Sequence, residues 1–323
     1  MAYVAGDLIK DDEFNAFVAN SSSPFGFNHF AGVGATVYGL GQAIIPAVVA
    51  GDNTITASQW NTLLAGIDNV ANHTNDSMTA RTQVTAGDTV AIKAAVAADL
   101  ATLAASVAAG SPNATAIAAS SALQTVTSGS EGWDSTATQE VSATFANGNN
   151  MRYFFNAGGK IRITVGIVAA ATSDKDTAYA NLGTAIGNFD INLLTSTRSG
   201  SGETLTTDGL ANGFQDLGTG YTVLIKLTSD NTGYTGNHIV ISAKTTGGAG
   251  NSGDATVLTI KMVATDGAAD TQYTDGNLSS IAVGAKDTPK MVTTLYTVAP
   301  TTAQGLNPVY TVSATASVSN TVA

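Results

Sequence analysis

The sequence predicts an α+β protein: a helical and extended N-terminal region over residues 1–130, then a mainly antiparallel β-sandwich-like domain over 131–323. Three observations predict it. Apolar residues in the first part recur at helical spacings of three and four. Beyond residue 140 they alternate with polar ones, the period of a half-buried strand. Clusters of Gly, Asn and Asp separate the alternating runs and supply turns.

The first element is a short helix opened by Asp11-Asp12-Glu13. Its acids suit the positive end of a helix dipole, and Phe14, Phe17 and Val18 share one side. Ser21-Ser22-Ser23-Pro24 ends it. Phe25 to Gly41 is rich in aromatics and glycines and reads as an extended arm, with Phe25, Phe27, Phe30 and Tyr38 free to meet a partner subunit. The clearest helix runs over 56–73. Thr56 and Gln59 form a capping box, and Trp60, Leu63, Leu64, Ile67 and Val70 make one apolar stripe. Trp60 reads as core of that helix and as a candidate contact. A second helix is expected over 88–109, capped by Asp88 and stopped by Gly110-Ser111-Pro112. Its alanines allow close approach, either within the chain or between subunits. Asn113 to Trp133 reads as a linker or a further short helix.

Strands follow over 141–145 and 151–155, with the turn Asn147-Gly148-Asn149-Asn150 between them, and over 161–168. The stretch Met151-Arg-Tyr-Phe-Phe-Asn-Ala-Gly-Gly-Lys-Ile-Arg-Ile163 thus reads as a hairpin. Phe154 and Phe155 lie in its first strand, and Asn156, Gly158 and Gly159 in its turn. Glycine supplies the positive φ of such a turn at no steric cost. Asp174 to Phe189 is expected to be a helix crossing the sandwich. Runs over 221–228 and 238–244 bracket the hairpin turn 230–236, and further strands are expected over 255–263 and 310–318.

Composition excludes several classes. There are 13 basic and 24 acidic residues, a net charge of −11, so no basic stripe for nucleic acid exists. Charged residues are 11% of the chain against about 25% in ordinary soluble proteins, so much of the surface is uncharged and polar. Absence of cysteine excludes disulfides and thiolate chemistry. The acidic N-terminus lacks the basic and apolar regions of a secretory signal, and no apolar run reaches the ~20 residues that span a bilayer. Neither export nor membrane insertion is expected.

No constellation points to catalysis or a cofactor. His29, His73 and His238 stand in three separate segments without metal-ligand spacing. Asp208, Asp216, Asp230, Asp254, Asp266 and Asp270 fall in Gly-rich loops. Loose Ca²⁺ ligation is one reading, but Asx turns explain them more simply. The Gly32-Val-Gly34 and Gly39-Leu-Gly41 segments lack the strand–turn–helix context of a phosphate loop. Tyr221 and Tyr234 are the aromatics a glycan could use.

Two segments carry a resemblance. One is Arg152-Tyr-Phe-Phe-Asn-Ala-Gly-Gly-Lys-Ile-Arg162. The other runs from Tyr38-Gly-Leu-Gly-Gln42, with an inserted Leu, through Ile55-Thr-Ala-Ser-Gln-Trp-Asn61 to His73. Together they resemble the "YGQ … ITA-xx-WN … H" and "FFNAGG-x-IR" layout of virion structural proteins of tailed bacteriophages, especially of marine and cyanobacterial hosts. The resemblance implies a non-enzymatic part of a tail, neck or fibre, assembled through the N-terminal region with other virion proteins as a symmetric homo-oligomer. A capsid decoration protein or a binder of host-surface glycan or receptor is the alternative.

Overall fold

Period-two burial builds two mainly antiparallel sheets beside a set of helices. The computed structural model describes residues 11–31, 44–48, 55–74, 76–88, 93–108, 121–127, 135–156, 158–168, 174–247, 255–267, 273–274, 280–281, 290–298 and 312–321. The helices α1 (Asp11–Val18), α2 (Phe27–Ala31), α3 (Ala57–Thr74) and α4 (Lys93–Ala108) come first. Then follow β1 (Ser121–Thr127), β2 (Thr136–Phe145), α5 (Gly148–Asn156), β3 (Lys160–Val168) and α6 (Asp174–Ile186). The strands β4 (Asn188–Ile191), β5 (Ser196–Arg198), β6 (Thr204–Asp208), β7 (Thr222–Thr228), β8 (His238–Thr245) and β9 (Val257–Thr265) continue the chain. Last come β10 (Tyr273–Thr274), β11 (Ser280–Ile281), β12 (Lys290–Val298) and β13 (Val312–Thr321).

One sheet has the order β1-β12-β3-β4-β5, the other β13-β2-β9-β8-β7-β6, and β10 pairs with β11. The α+β sandwich expected from the sequence is the fold. In β2 alternate residues Ala137, Gln139, Val141, Ala143 and Phe145 are buried, and β9 repeats the pattern with Leu258, Ile260, Met262 and Ala264. These face Ile161, Ile163, Met291 and Leu295 of the opposite sheet in one core. A polar clasp crosses that core. Gln139 Nε2 donates to the Met291 carbonyl (2.7 Å), and the Thr293 hydroxyl donates to Gln139 Oε1. Burial without those partners would cost about 1–3 kcal/mol per orphaned group.

As expected, a helix crosses the sandwich. α6 lies against β3 of one sheet and β7 and β8 of the other, burying Tyr179, Leu182, Ala185 and Ile186. Gly187, with φ +61°, then lets the chain turn straight into β4. The β7–β8 hairpin also forms, with Thr228 opposite His238.

Two expectations fail here, and one strand carries no signal in the sequence reading. Met151–Phe155 is helical, not a strand, so no hairpin forms at the glycines. Ser121–Thr127, read as linker or helix, is a strand paired with β12. The strand β12 itself was not foreseen, although it is central, hydrogen-bonded to both β1 and β3.

The helices have a separate core. Phe14, Val18, Phe27, Trp60, Leu63, Ile67, Val70, Val96, Leu100 and Leu103 form it. The arm reading fails for its central residue: Phe27 opens α2, and its ring lies where a Cβ on Gly66 would be, 2.6 Å from that position. Only a glycine in α3 admits the ring. The capping box forms as read: Thr56 N–H donates to Gln59 Oε1 (2.9 Å) and Gln59 N–H to Thr56 Oγ1 (3.2 Å). The cap expected of Asp88 falls on residues 89–92, which lie outside the described residues. The Asp88 carboxylate takes the Thr85 N–H (2.7 Å) and hydroxyl (2.8 Å), which hold it below the usual carboxylate range.

Candidate functional site

The motif-bearing segments are the natural place to seek function, and each resolves into specific contacts. Asn147 caps α5, its side-chain oxygen accepting the Asn150 N–H (2.9 Å). Met151, Phe154 and Phe155 then recur at three and four, so all three point inward and are fully buried. The helix ends in a Schellman cap. Gly159 N–H donates to the Phe154 carbonyl (2.8 Å) and Gly158 N–H to the Phe155 carbonyl (2.9 Å). Gly158 has φ +87°, and a Cβ on Gly159 would sit 2.5 Å from the Phe154 oxygen. The glycine pair is required, but to stop a helix. Asn156 is the last helical residue and is buried.

The aromatic pair plugs the sandwich. Phe155 stacks on Phe214 (4.2 Å between centroids, 7° between planes) and meets Phe154 edge-on (5.2 Å, 88°). Phe145 lies 5.2 Å from Phe154. The basic end of the same motif is also structural. Arg162 Nε and Nη2 reach the two oxygens of Asp190 (2.6 and 2.9 Å), and Lys160 Nζ lies 2.7 Å from the second. Burial alone would raise the Asp190 pKa, but the Arg162 and Lys160 hydrogen bonds and charges outweigh it and hold the carboxyl below its ordinary range.

In the N-terminal motif Trp60 is buried, 1% exposed, with Phe17 edge-on to it at 6.1 Å. Asn61 makes a two-point clamp on Val84, donating to its carbonyl and accepting its N–H, both at 2.9 Å. Asn28 does the same to Ile45 (2.8 and 2.9 Å), and Asn15 to Val48 (3.0 and 2.8 Å). Each clamp ties an irregular segment to a helix as a single ladder rung would. No expectation singled out these asparagines, although Asn61 sits inside the motif.

The five proposed contact residues therefore divide. Phe27 and Trp60 are consumed by the chain's own core, and Phe25 is half-buried against it, its ring 5.7 Å from that of His29. Phe27 and Trp60 are therefore not free for a partner, whereas Phe25 keeps part of its surface exposed. Tyr38 and the side chain of Phe30 lie outside the described residues.

Charged groups elsewhere are mostly engaged. Lys175 and Asp266 form an ion pair, each side chain 1% exposed. Beside it Tyr179 donates to the Thr265 carbonyl (2.9 Å), and burial, with the Asp266 charge, pushes its phenol strongly upward. Arg81 pairs with Asp99, approaches Asp68 at 3.9 Å, and borders an open cleft of 340 Å³ with Asp68, Asp76 and Met78. Asp99, which interrupts the Ala-rich run, is thus the anchor of the α3–α4 connection. Among the described residues no group of three or more acids or histidines could hold a metal ion. Asp208 accepts the Leu210 N–H (3.1 Å) in an Asx turn, Asp216 that of Gly213 (2.9 Å), and Asp230 the Thr204 hydroxyl (2.6 Å). Asp254 and Asp270 lie outside the described residues.

Tyr221, half-buried just before β7, has a distinct setting on the outer face of the larger sheet. The ammonium groups of Lys261 and Lys244 lie 3.8 and 4.4 Å from its ring centroid, and its hydroxyl donates to Glu140 (2.7 Å). Burial, then that bond, raises its pKa. A sugar stacking on this ring would have to displace a lysine. Tyr234 is half-buried in the β7–β8 turn, donating its N–H to the Asn231 carbonyl (2.9 Å).

Comparison of the chain with protein-family models, with curated proteins and with solved structures gives no match. Among the described residues no helix is long and apolar enough to cross a membrane.

Proposed function

We propose that this chain is a non-enzymatic structural protein of a tailed-phage virion, a component of the tail, neck or a fibre. It is made in the host cytoplasm and carried in the particle with other virion proteins. One observation carries the reading. The two segments that resemble virion proteins are the ones whose residues set the two cores: Trp60 and Asn61 among the helices, and Phe154 to Arg162 in the sandwich. A motif made of core and cap residues marks a shared fold rather than a shared reaction, as expected of a building block. The low share of charged residues, 11% of the chain, supports the same reading, since packed subunits need few ions at their contacts. In a particle such chains assemble by symmetry, as trimers in a fibre or as sixfold or twelvefold rings in a neck or tail.

Antibody labelling of intact particles, viewed by electron microscopy, tests the proposal. Label at one point on tail, neck or fibre supports it and gives the location. Label over the head favours a decoration protein. Absence of the chain from dissociated, purified particles overturns it. A host-surface binder would show in glycan-array binding that is lost on Tyr221→Ala.

A further inference from the structure

A buried ion pair rarely repays its place. Two apolar side chains of similar volume often stabilise as well or better, because each charge must leave water. Lys175 and Asp266 nevertheless meet where the start of α6 reaches the end of β9, Lys175 Nζ against Asp266 Oδ2, each side chain 1% exposed. The lysine sits in the first turn of α6, whose dipole opposes a cation there. Asp174 and Asp176 flank it, and Asp176 is buried as well, so a second carboxyl stands beside the pair in the chain.

The aspartate is fixed from both sides. Its N–H donates to the Ser135 carbonyl (2.9 Å), and the next N–H, of Gly267, donates to Asn237 Oδ1 (3.0 Å). Before it, the Thr265 carbonyl accepts the Tyr179 hydroxyl (2.9 Å). Tyr179 lies one turn beyond Lys175 on α6 and is fully buried. Tyr234 is close enough that the Asp174 and Asp266 charges, after burial, raise its phenol. An amine and a carboxyl are thus held in contact, out of reach of bulk water.

We infer that Lys175 and Asp266 join in an intramolecular isopeptide bond, Nζ of the lysine to Cγ of the aspartate, which staples the start of α6 to the end of β9. The step needs no co-reactant. A proton passes from the ammonium to the carboxylate, a neutralisation that removal from water favours. The amine then adds to Asp266 Cγ, and the bond from Cγ to one of its oxygens breaks. Of the three ammonium protons, two leave with that oxygen as water and one stays on the amide nitrogen. Contact in the fold replaces a chance encounter of amine and acid. Exclusion of bulk water then protects the product from hydrolysis. The chain has no cysteine, so no disulfide restrains its unfolded state. A cross-link that closes residues 175–266 into one loop supplies that restraint in any redox compartment. This bond stands apart from the virion reading, and its absence would leave that reading untouched.

Mass spectrometry of the intact, denatured full chain tests it. Wild type is expected one water molecule lighter than its sequence. A protease digest should yield a branched peptide that carries both Lys175 and Asp266. Lys175→Met keeps a side chain of similar shape without the amine, and Asp266→Ala removes the carboxyl. Each variant should show the full mass of its own sequence. Wild type carries the primary readout, so the test does not depend on either variant folding. A wild type at full mass overturns the inference. So does a water loss that survives Lys175→Met, since Asp266-Gly267 by itself can dehydrate to a cyclic imide. A branch that maps to other residues overturns it too.

Discussion

A strand and a helix through Met151–Phe155 make different demands on two neighbouring side chains, and single substitutions separate them. Successive residues of a strand point to opposite faces, so a strand would bury one of Phe154 and Phe155. In α5 both are fully buried. Phe→Ala in a core costs about 3–5 kcal/mol, the lost transfer energy plus the cavity. Phe155→Ala also gives up the stacked Phe214 ring, a geometry worth about 0.5–1.5 kcal/mol beyond area. The expectation is about 3–4 kcal/mol for Phe154→Ala and about 4–5 for Phe155→Ala, against a total of about 5–15 for a native domain. Urea titration followed by far-UV circular dichroism measures both. With a slope of about 2 kcal/mol per molar, midpoints should fall by about 2 M. If one variant loses its full amount and the other under about 1 kcal/mol, the segment is a strand and the plug is refuted.

Three further outcomes follow from buried ionisable groups. Burial holds the His29 imidazole below its ordinary range, so the unfolded chain takes up the proton first. Stability is then full above about pH 6.5 and falls as pH drops through the folded value. His29→Gln should flatten that slope in melting curves, and an unchanged slope would count against it. Asp190 is likewise depressed, so its contribution is present above about pH 4 and lost as pH falls through its folded value. Asp190→Asn should remove this acid-side loss, and a titration identical to wild type would exclude the clamp. Asp266→Ala breaks the buried pair with Lys175 and should cost about 3–5 kcal/mol in urea unfolding. A loss under about 1 kcal/mol would mean that other groups compensate the ammonium.

The legible parts of the sequence were those where one period and one cap agreed. Thr56 and Gln59, followed by a clean stripe from Trp60, specify α3 by local chemistry alone. The alternating strands β2, β8 and β9 were legible for the same reason. α5 was misread because aromatic residues favour strands and Gly-Gly serves a hairpin and a Schellman cap equally. The deciding signal was the spacing Met151, Phe154, Phe155 with Asn147 before it. β12 was hidden because its inward positions alternate Met291 and Leu295 with Thr293 and Thr297, so the core face carries hydroxyls. Their partners, such as Gln139, lie about 150 residues away in sequence, where no local pattern can reveal them. Phe27 reads as part of an exposed arm because its socket is the missing side chain of Gly66, on another helix.

The same economy explains where the few charges go. Arg81, Lys160, Arg162 and Lys175 each hold a carboxylate that joins two elements, and Lys244 and Lys261 hold one tyrosine. Charge in this chain fastens parts within a copy.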